Sequence, residues 1–155
     1  MWWVIAVVAL VVAVATYVTW LAARVDRLHA RAAAAYATLD AHLVRRAAAA
    51  VALAEAAQLP TLMYAAKIAL DAQPDDREVA ENDLTRHLRS GFVLEQDVEE
   101  TLVQVSRRVA LARQVHNDVV RDALASRRFR LVRLFRLARK HPIPAYFDVD
   151  DPSLT

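Results

Sequence analysis

The sequence contains no cysteine and a single glycine in 155 residues. The lack of cysteine excludes disulfide bonds, thiolate metal sites, cysteine nucleophiles and lipoprotein anchors. One glycine is difficult to reconcile with an α/β or all-β fold, because the turns of those folds use glycine at left-handed backbone positions. It also excludes glycine-rich phosphate-binding loops and the nucleotide-binding classes that depend on them. At this length we expect one all-α domain.

Charge is also absent from residues 1–23. The stretch from Trp2 to Ala23 is apolar except for two threonines, and about 20 such residues in a helix cross a hydrocarbon core of roughly 30 Å. Tryptophans lie near both ends, as in the aromatic belts of membrane proteins. Arg24 and two further arginines follow within eight residues. Because positive charge is retained inside the cell, we predict a single-pass span with the N-terminus outside and residues 24–155 in the cytoplasm.

Two other interpretations of this stretch remain open. A cleaved signal peptide could use the weak Ala-x-Ala pattern at Ala13 and Ala15. Against it, no basic segment precedes the apolar run, which continues past that site. A buried core helix would have a similar composition, but the length of the run and the arginines that follow favour a membrane anchor.

The cytoplasmic part begins without a helix breaker. From Arg24 to about Gln58, apolar residues recur every three or four positions, so the membrane helix is predicted to continue into the cytoplasm. Pro60 disfavours helix in the residue before it and suits the first turn after it. A short second helix is therefore predicted over Thr61–Ala72.

Two further helices are predicted after Pro74. The third runs from Glu78 to Arg89, with Asp75 or Asp76 as its cap and Ser90–Gly91 as its end. The last runs from Glu95 to His141, with acidic residues first and basic residues last, as the helix dipole favours. Its apolar positions form a heptad seam suited to packing against long helices; the seam consists of Val98, Leu102, Val105, Val109, Ala112, His116, Val119 and Ala123.

Four helices with short connections predict an antiparallel four-helix bundle that continues the transmembrane helix. An extended coiled-coil homodimer is the alternative. The predicted organisation is a transmembrane anchor over residues 1–23, a cytoplasmic helical bundle over 24–141 and an extended acidic tail over 142–155.

The charges behind the anchor are unevenly distributed. Residues 59–100 carry four basic and ten acidic side chains, whereas residues 101–141 carry eleven basic and two acidic ones. An antiparallel last helix would return to the bilayer near Phe129. Beyond that point a basic face and an apolar stripe (Leu131, Leu134, Phe135, Ala138) predict contact with an anionic lipid surface; a packed bundle face with solvated arginines is the alternative. The membrane-surface candidates are Arg130, Arg133, Arg136, Arg139 and Lys140.

The sequence offers little for catalysis or cofactor binding. The five histidines lie on separate segments, and Asp26 and His29 supply only half of the ligand pattern of a di-metal bundle. His116 lies on the heptad seam, where a core histidine is the usual role. We therefore expect no catalytic residue, no metal and no cofactor. Nucleic-acid binding by the arginine-rich last helix is a further alternative, but no recognition motif supports it, so no nucleic-acid partner is expected.

Two segments resemble the LemA family of single-pass bacterial membrane proteins. The first is residues 24–46 (RVDRLHARAAAAYATLDAHLVRR), where an aromatic precedes Leu39-Asp40 and a leucine precedes a pair of arginines. The second is residues 108–122 (RVALARQVHNDVVRD), followed by a C-terminal segment near Tyr146-Phe147. The resemblance implies an N-out anchor in the inner membrane, a cytoplasmic antiparallel bundle of long helices and no established enzymatic activity.

Arg113 and Asn117 lie one turn apart on the predicted last helix and could reach Arg45, Arg46 or Asn82 in a polar layer. We expect such a layer to fix the register of the helices, as buried polar groups do in some proteins. The predicted function is a membrane-anchored, non-enzymatic scaffold that interacts with lipid and an unknown protein partner, with a homo-oligomer as a further option. The alternative is a ligand-binding or enzymatic bundle that uses this layer.

Overall fold

The computed structural model describes residues 1–90, 96–150 and 152, without the side chains of 96–99. Within these residues the regular structure is entirely helical, which confirms the all-α part of the predicted fold class. The predicted first helix continues unbroken from the apolar stretch. The helices are α1 (Trp2–Ala56), α2 (Pro60–Asp71), α3 (Arg77–Arg89), α4 (Gln96–Arg127) and α5 (Arg130–Leu134).

Helix α1 is 55 residues long and contains neither glycine nor proline. Its N-terminal part includes a segment long and apolar enough to cross a membrane, and only 6% of that segment is buried. Most of the large side chains from Trp2 to Trp20 are exposed, whereas Leu21 and Val25 are buried. A core helix would be mostly buried, so this exposure disfavours that interpretation of the apolar stretch.

Helix α1 ends close to the predicted position, and it does so without glycine. Gln58 has a positive φ of 54°, the Leu59 amide donates to the Ala54 carbonyl (2.9 Å), and the Gln58 amide donates to the Glu55 carbonyl (3.3 Å). These two hydrogen bonds form a Schellman motif, in which glycine is the usual left-handed residue. Pro60 then begins α2, where its missing amide hydrogen is not needed.

The chain forms two compact units, and the first comprises Met1–Ala34 and Asp118–Ala145. In this unit Ala32 packs with Val120 and Ala123. Leu21 and Val25 pack with Val132 and Ala138. Earlier residues of α1 thus meet later residues of the returning chain, so the two segments run in opposite directions within this unit.

The last helix does not continue to His141, and that prediction is wrong. Helix α4 ends at Arg127, Phe129 is extended and the short α5 follows. Arg136 has a positive φ of 52°. Val132 and Ala138 are six residues apart, and six residues of a straight helix would place them on different sides. The breaks bring both into one cluster with Leu21 and Val25.

The second unit comprises Ala35–Asn117 and Tyr146–Thr155. Its main core consists of buried alanines and leucines from four helices, and the small alanine side chains allow the helices to pack closely. This core contains Ala47, Ala50, Leu53, Ala54, Leu62, Ala66, Ala69, Ala80, Leu84 and Leu102. The predicted second and third helices are present as α2 and α3, and Asp76 lies at the N-cap of α3, with its backbone carbonyl accepting from the Ala80 amide (3.0 Å).

The predicted boundary between the third and last helices falls partly outside the described residues. Ser90 caps the C-terminus of α3, but Gly91 and Glu95 are not described. On α4 the predicted seam positions Leu102, Val109, His116 and Ala123 are buried. At two other seam positions the buried residue is the next one along the chain: Ser106 is buried instead of the predicted Val105, and Val120 instead of the predicted Val119. The side chain of Val98 is not among those that the structure describes.

Candidate interaction site

The C-terminal tail lies on the second unit. Exposed and buried residues alternate from Tyr146 to Asp150, as in an extended strand. Phe147 and Val149, each 4% exposed, pack against an apolar surface formed by Tyr36, Leu39, Leu43, Val109 and Ala112. The intervening Asp148 and Asp150 are exposed. We call residues 146–150 the tail segment.

Helix α4 binds the backbone of the tail segment through two side chains one turn apart. The Phe147 amide donates to Asn117 Oδ1 (2.9 Å), and Asn117 Nδ2 donates to the Phe147 carbonyl (3.2 Å). Arg113 Nη1 donates to the Val149 carbonyl. Asn117 and Arg113 thus satisfy three polar groups of the tail backbone, which would otherwise lie beside an apolar surface.

Helix α3 binds the same segment from another side. The Asp148 amide donates to Glu78 Oε1 (3.1 Å), and the Asp150 amide donates to Asn82 Oδ1 (2.8 Å). Side chains at i and i+4 of a helix lie about 6 Å apart, and residues two apart in an extended chain lie about 6.7 Å apart. The spacing of the two acceptors therefore matches alternate amides of the tail.

A second polar cluster in this unit is centred on Arg46, which is 0% exposed. Its Nη1 donates to Glu81 Oε2 (3.0 Å), its Nη2 to Thr85 Oγ1 (2.9 Å) and its Nε to Ser106 Oγ (3.2 Å). The guanidinium group thereby joins α1, α3 and α4. Three hydrogen bonds from one buried side chain therefore tie the three helices together at this point.

Glu81 is the counter-ion of Arg46 and is also 0% exposed. Burial raises the pKa of Glu81 from 4.5 to about 7, although Arg46 opposes the rise. Its Oε1 atom has no hydrogen-bond partner among the described residues, which favours the protonated form. Burial therefore favours the neutral form of this carboxyl group relative to an exposed glutamate.

The five polar-layer candidates lie in different surroundings. Arg46 lies in the buried cluster, whereas Asn82, Arg113 and Asn117 bind the tail segment. Arg45 is exposed. The structure therefore has two separate sites in place of the single polar layer predicted from the sequence. Arg46 binds Glu81, Thr85 and Ser106 rather than the other candidates. The spacing of the candidates does not indicate these partners.

The membrane-surface candidates belong to the first unit, and all five are exposed. A cleft of about 420 Å³ is lined by Tyr17, Trp20, Leu21 and Arg24 of α1 and by Phe129, Arg130 and Leu131. Ala22 lines a second cleft with Arg136, Arg139 and Lys140. The cationic segment therefore lies beside the C-terminal end of the apolar stretch that runs from Trp2 to Ala23.

A polar cluster near this end was not predicted from the sequence. Asp26 accepts from Lys140 Nζ (2.8 Å) and lies 2.8 Å from His141 Nε2. These two hydrogen bonds lower the pKa of Asp26. His29 stacks on His141, with ring centroids 4.5 Å apart, and Arg127 contacts the His29 ring nitrogen (3.1 Å). Only the spacing of Asp26 and His29 pointed to this place.

The described residues contain no group of three or more histidine or acidic side chains arranged to hold a metal ion. No family model, curated protein or solved structure matches this chain. The features of the described residues that bear on function are the contacts of the tail segment and the exposed cationic segment beside the apolar stretch.

Proposed function

We propose that this protein is a non-enzymatic interaction scaffold of the bacterial inner membrane. Residues 2–23 cross the bilayer once, with the N-terminus outside, and the rest of α1 forms an antiparallel four-helix bundle with the later helices in the cytoplasm. The observation that carries this proposal is the contrast along α1, where most large apolar side chains are exposed up to Trp20 and packing begins at Leu21. A hydrocarbon environment suits the first part and a protein core suits the second.

The position of the cationic residues supports the proposed orientation. Arg24, Arg27 and Arg31 follow the span, and Leu21 packs with Val132 inside the basic C-terminal segment. Positive charge from two distant parts of the chain is thereby gathered at one end of the span. Such charge is retained at the cytoplasmic surface.

We further propose that this segment binds anionic lipid. Phe129, Leu134 and Phe135 are exposed beside the exposed arginines of the segment, with Leu134 71% exposed. Exposed apolar side chains enter the interface, and each basic residue near an anionic surface contributes about 1 kcal/mol. The break of α4 after Arg127 favours this arrangement, because it leaves these side chains free of the core.

The resemblance of residues 24–46 and 108–122 to the LemA family agrees with the same location and architecture, and membership of that family remains our proposal. Enzymatic chemistry at the polar layer is disfavoured because Arg46 is buried with Glu81, Thr85 and Ser106 as partners and Asn117 is occupied by the tail segment. We propose no cofactor and no nucleic-acid partner.

Carbonate extraction of membranes tests the anchor. The full chain is expected in the membrane pellet after alkaline extraction, because an apolar helix stays in the bilayer. A variant that lacks residues 2–23 is the matched control and is expected in the soluble fraction. Recovery of the full chain from the soluble fraction would contradict the proposal, and mass spectrometry of the pelleted protein would reveal a cleaved N-terminus.

Hydrogen exchange of the full chain in lipid nanodiscs tests the lipid contact. Amides of residues 128–140 are expected to exchange more slowly in discs with phosphatidylglycerol than in discs of phosphatidylcholine alone. High salt should remove the difference, since it screens the attraction. Equal exchange in the two lipids would contradict an electrostatic contact. Arg130→Glu or Arg133→Glu should reduce the difference between the lipids, whereas Arg107→Glu, at an exposed position of α4, is the control and should leave it unchanged.

A further inference from the structure

We infer that α1, α3 and α4 form a binding groove for an extended peptide, which the chain's own tail segment occupies and which the tail segment of a second copy can occupy in its place. The groove is the surface of the second unit that contacts residues 146–150, and this inference does not depend on the membrane anchor.

The groove recognises a peptide backbone with side chains from two helices. Along the tail segment, contacts on α3 proceed from Glu78 to Asn82, while contacts on α4 proceed from Asn117 back to Arg113. Each helix supplies two polar side chains at i and i+4, and each pair engages positions two apart in the tail. Five tail hydrogen bonds arise from this match.

Apolar contacts add a sequence requirement. Phe147 and Val149 enter the same cluster with Leu39 and Val109, so the ligand needs an aromatic and an aliphatic side chain two positions apart. Main-chain hydrogen bonds combined with pockets for alternate side chains are the features of strand-like peptide recognition. The ligand chemistry is thus an extended segment with a buried aromatic and a buried aliphatic side chain two positions apart, separated by a residue whose side chain faces solvent.

A second copy is the partner that this chemistry identifies. Its tail has the sequence Phe147-Asp148-Val149-Asp150 that already fits the groove, so an exchanged tail makes the same contacts as the original one. The state with its own tail bound and the state with an exchanged tail differ in the path of the residues that connect the tail to the rest of the chain. They also differ in the effective concentration of the tail at the groove, which is higher for a tail of the same chain. The connection, residues 142–145, has no regular secondary structure and contains two prolines, which favour an extended backbone before each of them.

Two complementary full-length variants test the exchange. Phe147→Ala/Val149→Ala weakens the tail and leaves the groove intact, whereas Asn82→Ala/Asn117→Ala weakens the groove and leaves the tail intact. Because the chain has no cysteine, a single cysteine in place of exposed Gln104 carries a donor dye on one variant and an acceptor dye on the other. In detergent, we expect energy transfer in the mixture of the two variants, and none when a donor-labelled and an acceptor-labelled sample of the same variant are mixed.

An excess of unlabelled peptide with the sequence of residues 144–152 should abolish the energy transfer. No energy transfer between two folded variants, over the concentration range that is accessible, would overturn the inference and reduce the tail to an intramolecular contact. Melting curves of each variant establish that it is folded.

A milder variant keeps the test decisive if the double variants do not fold. Val149→Ala in the full chain should bind the same peptide, labelled with a dye, roughly tenfold more tightly than the wild type, since its own tail competes less well. Ile143→Ala removes an exposed apolar side chain just before the tail segment and should bind as the wild type does. Equal affinity for all three proteins would also overturn the inference.

Discussion

The side chain of Asn117 and the peptide groups of Phe147 bind each other reciprocally: Asn117 Oδ1 accepts from the Phe147 amide at 2.9 Å, and Asn117 Nδ2 donates to the Phe147 carbonyl at 3.2 Å. An amide side chain has one acceptor and one donor that can pair with a peptide in this way. The contact joins residues 30 positions apart and holds the C-terminal tail on the second unit.

Asn117→Ala is therefore expected to release the tail. The variant loses two hydrogen bonds, each of which contributes about 1 kcal/mol to stability. We expect faster hydrogen exchange at the Phe147 amide and a rise of roughly thirtyfold in protease sensitivity of the tail, which corresponds to a loss of about 2 kcal/mol. Gln104→Ala on the exposed side of α4 is the control. Unchanged exchange at Phe147 in the Asn117 variant would contradict this role.

Arg46→Met should destabilise the second unit strongly. Removing one partner of a buried ion pair typically costs about 3–5 kcal/mol, and here it also removes the partners of Thr85 and Ser106. Arg45→Met changes the neighbouring exposed arginine and should cost less than about 0.5 kcal/mol. Urea unfolding followed by circular dichroism measures both values. Similar midpoints for the two variants would show that the buried cluster adds no stability.

Stability should increase as the pH falls towards 5. Burial raises the pKa of Glu81 from 4.5 to about 7 in the folded state, so the folded protein binds a proton more tightly than the unfolded chain does. The resulting stabilisation is complete below pH 4.5 and is lost as the pH rises through 7. Urea unfolding at several pH values checks this trend, and Glu81→Gln should flatten it. A wild-type stability that rises between pH 5 and pH 8 would oppose the assignment.

Gln58→Gly is expected to raise the melting temperature. Gln58 has a positive φ of 54° at the end of α1, and a residue with a β-carbon is strained there relative to glycine. Relief of this strain should stabilise the protein by about 0.5–1 kcal/mol. Ala48→Gly, in an exposed helical position of α1, should instead destabilise it by about 1 kcal/mol. Calorimetry of the two variants distinguishes these opposite changes.

The sequence predicts the helices better than their ends and the tail. The continuity of α1 and the start of α2 at Pro60 follow from unbroken periodicity and from the restricted backbone of proline. The left-handed residues Gln58 and Arg136 give no local sign of their conformation. The end of α4 at Arg127 allows Val132 and Ala138 to pack against Leu21, which is distant in the sequence. The local periodicity of apolar residues carries no information about this long-range contact.

The candidate sites were predictable only in part. Arg46, Asn82, Arg113 and Asn117 were recognised as polar residues on helices, but their partners lie far away in the chain. Arg46 bonds to residues 35, 39 and 60 positions later. Within residues 146–150 the buried side chains are Phe147 and Val149, and two alternating positions are too short a pattern to indicate a strand-like contact.

Cysteine labelling in intact bacteria tests the central proposal most directly. One variant carries a cysteine inserted after Met1, and the other has Gln104→Cys on the exposed side of α4. A maleimide that does not cross the inner membrane should label the first in intact cells and the second only after lysis. Labelling of the Gln104→Cys variant in intact cells, or of neither variant before lysis, would contradict an N-out anchor with a cytoplasmic helical bundle.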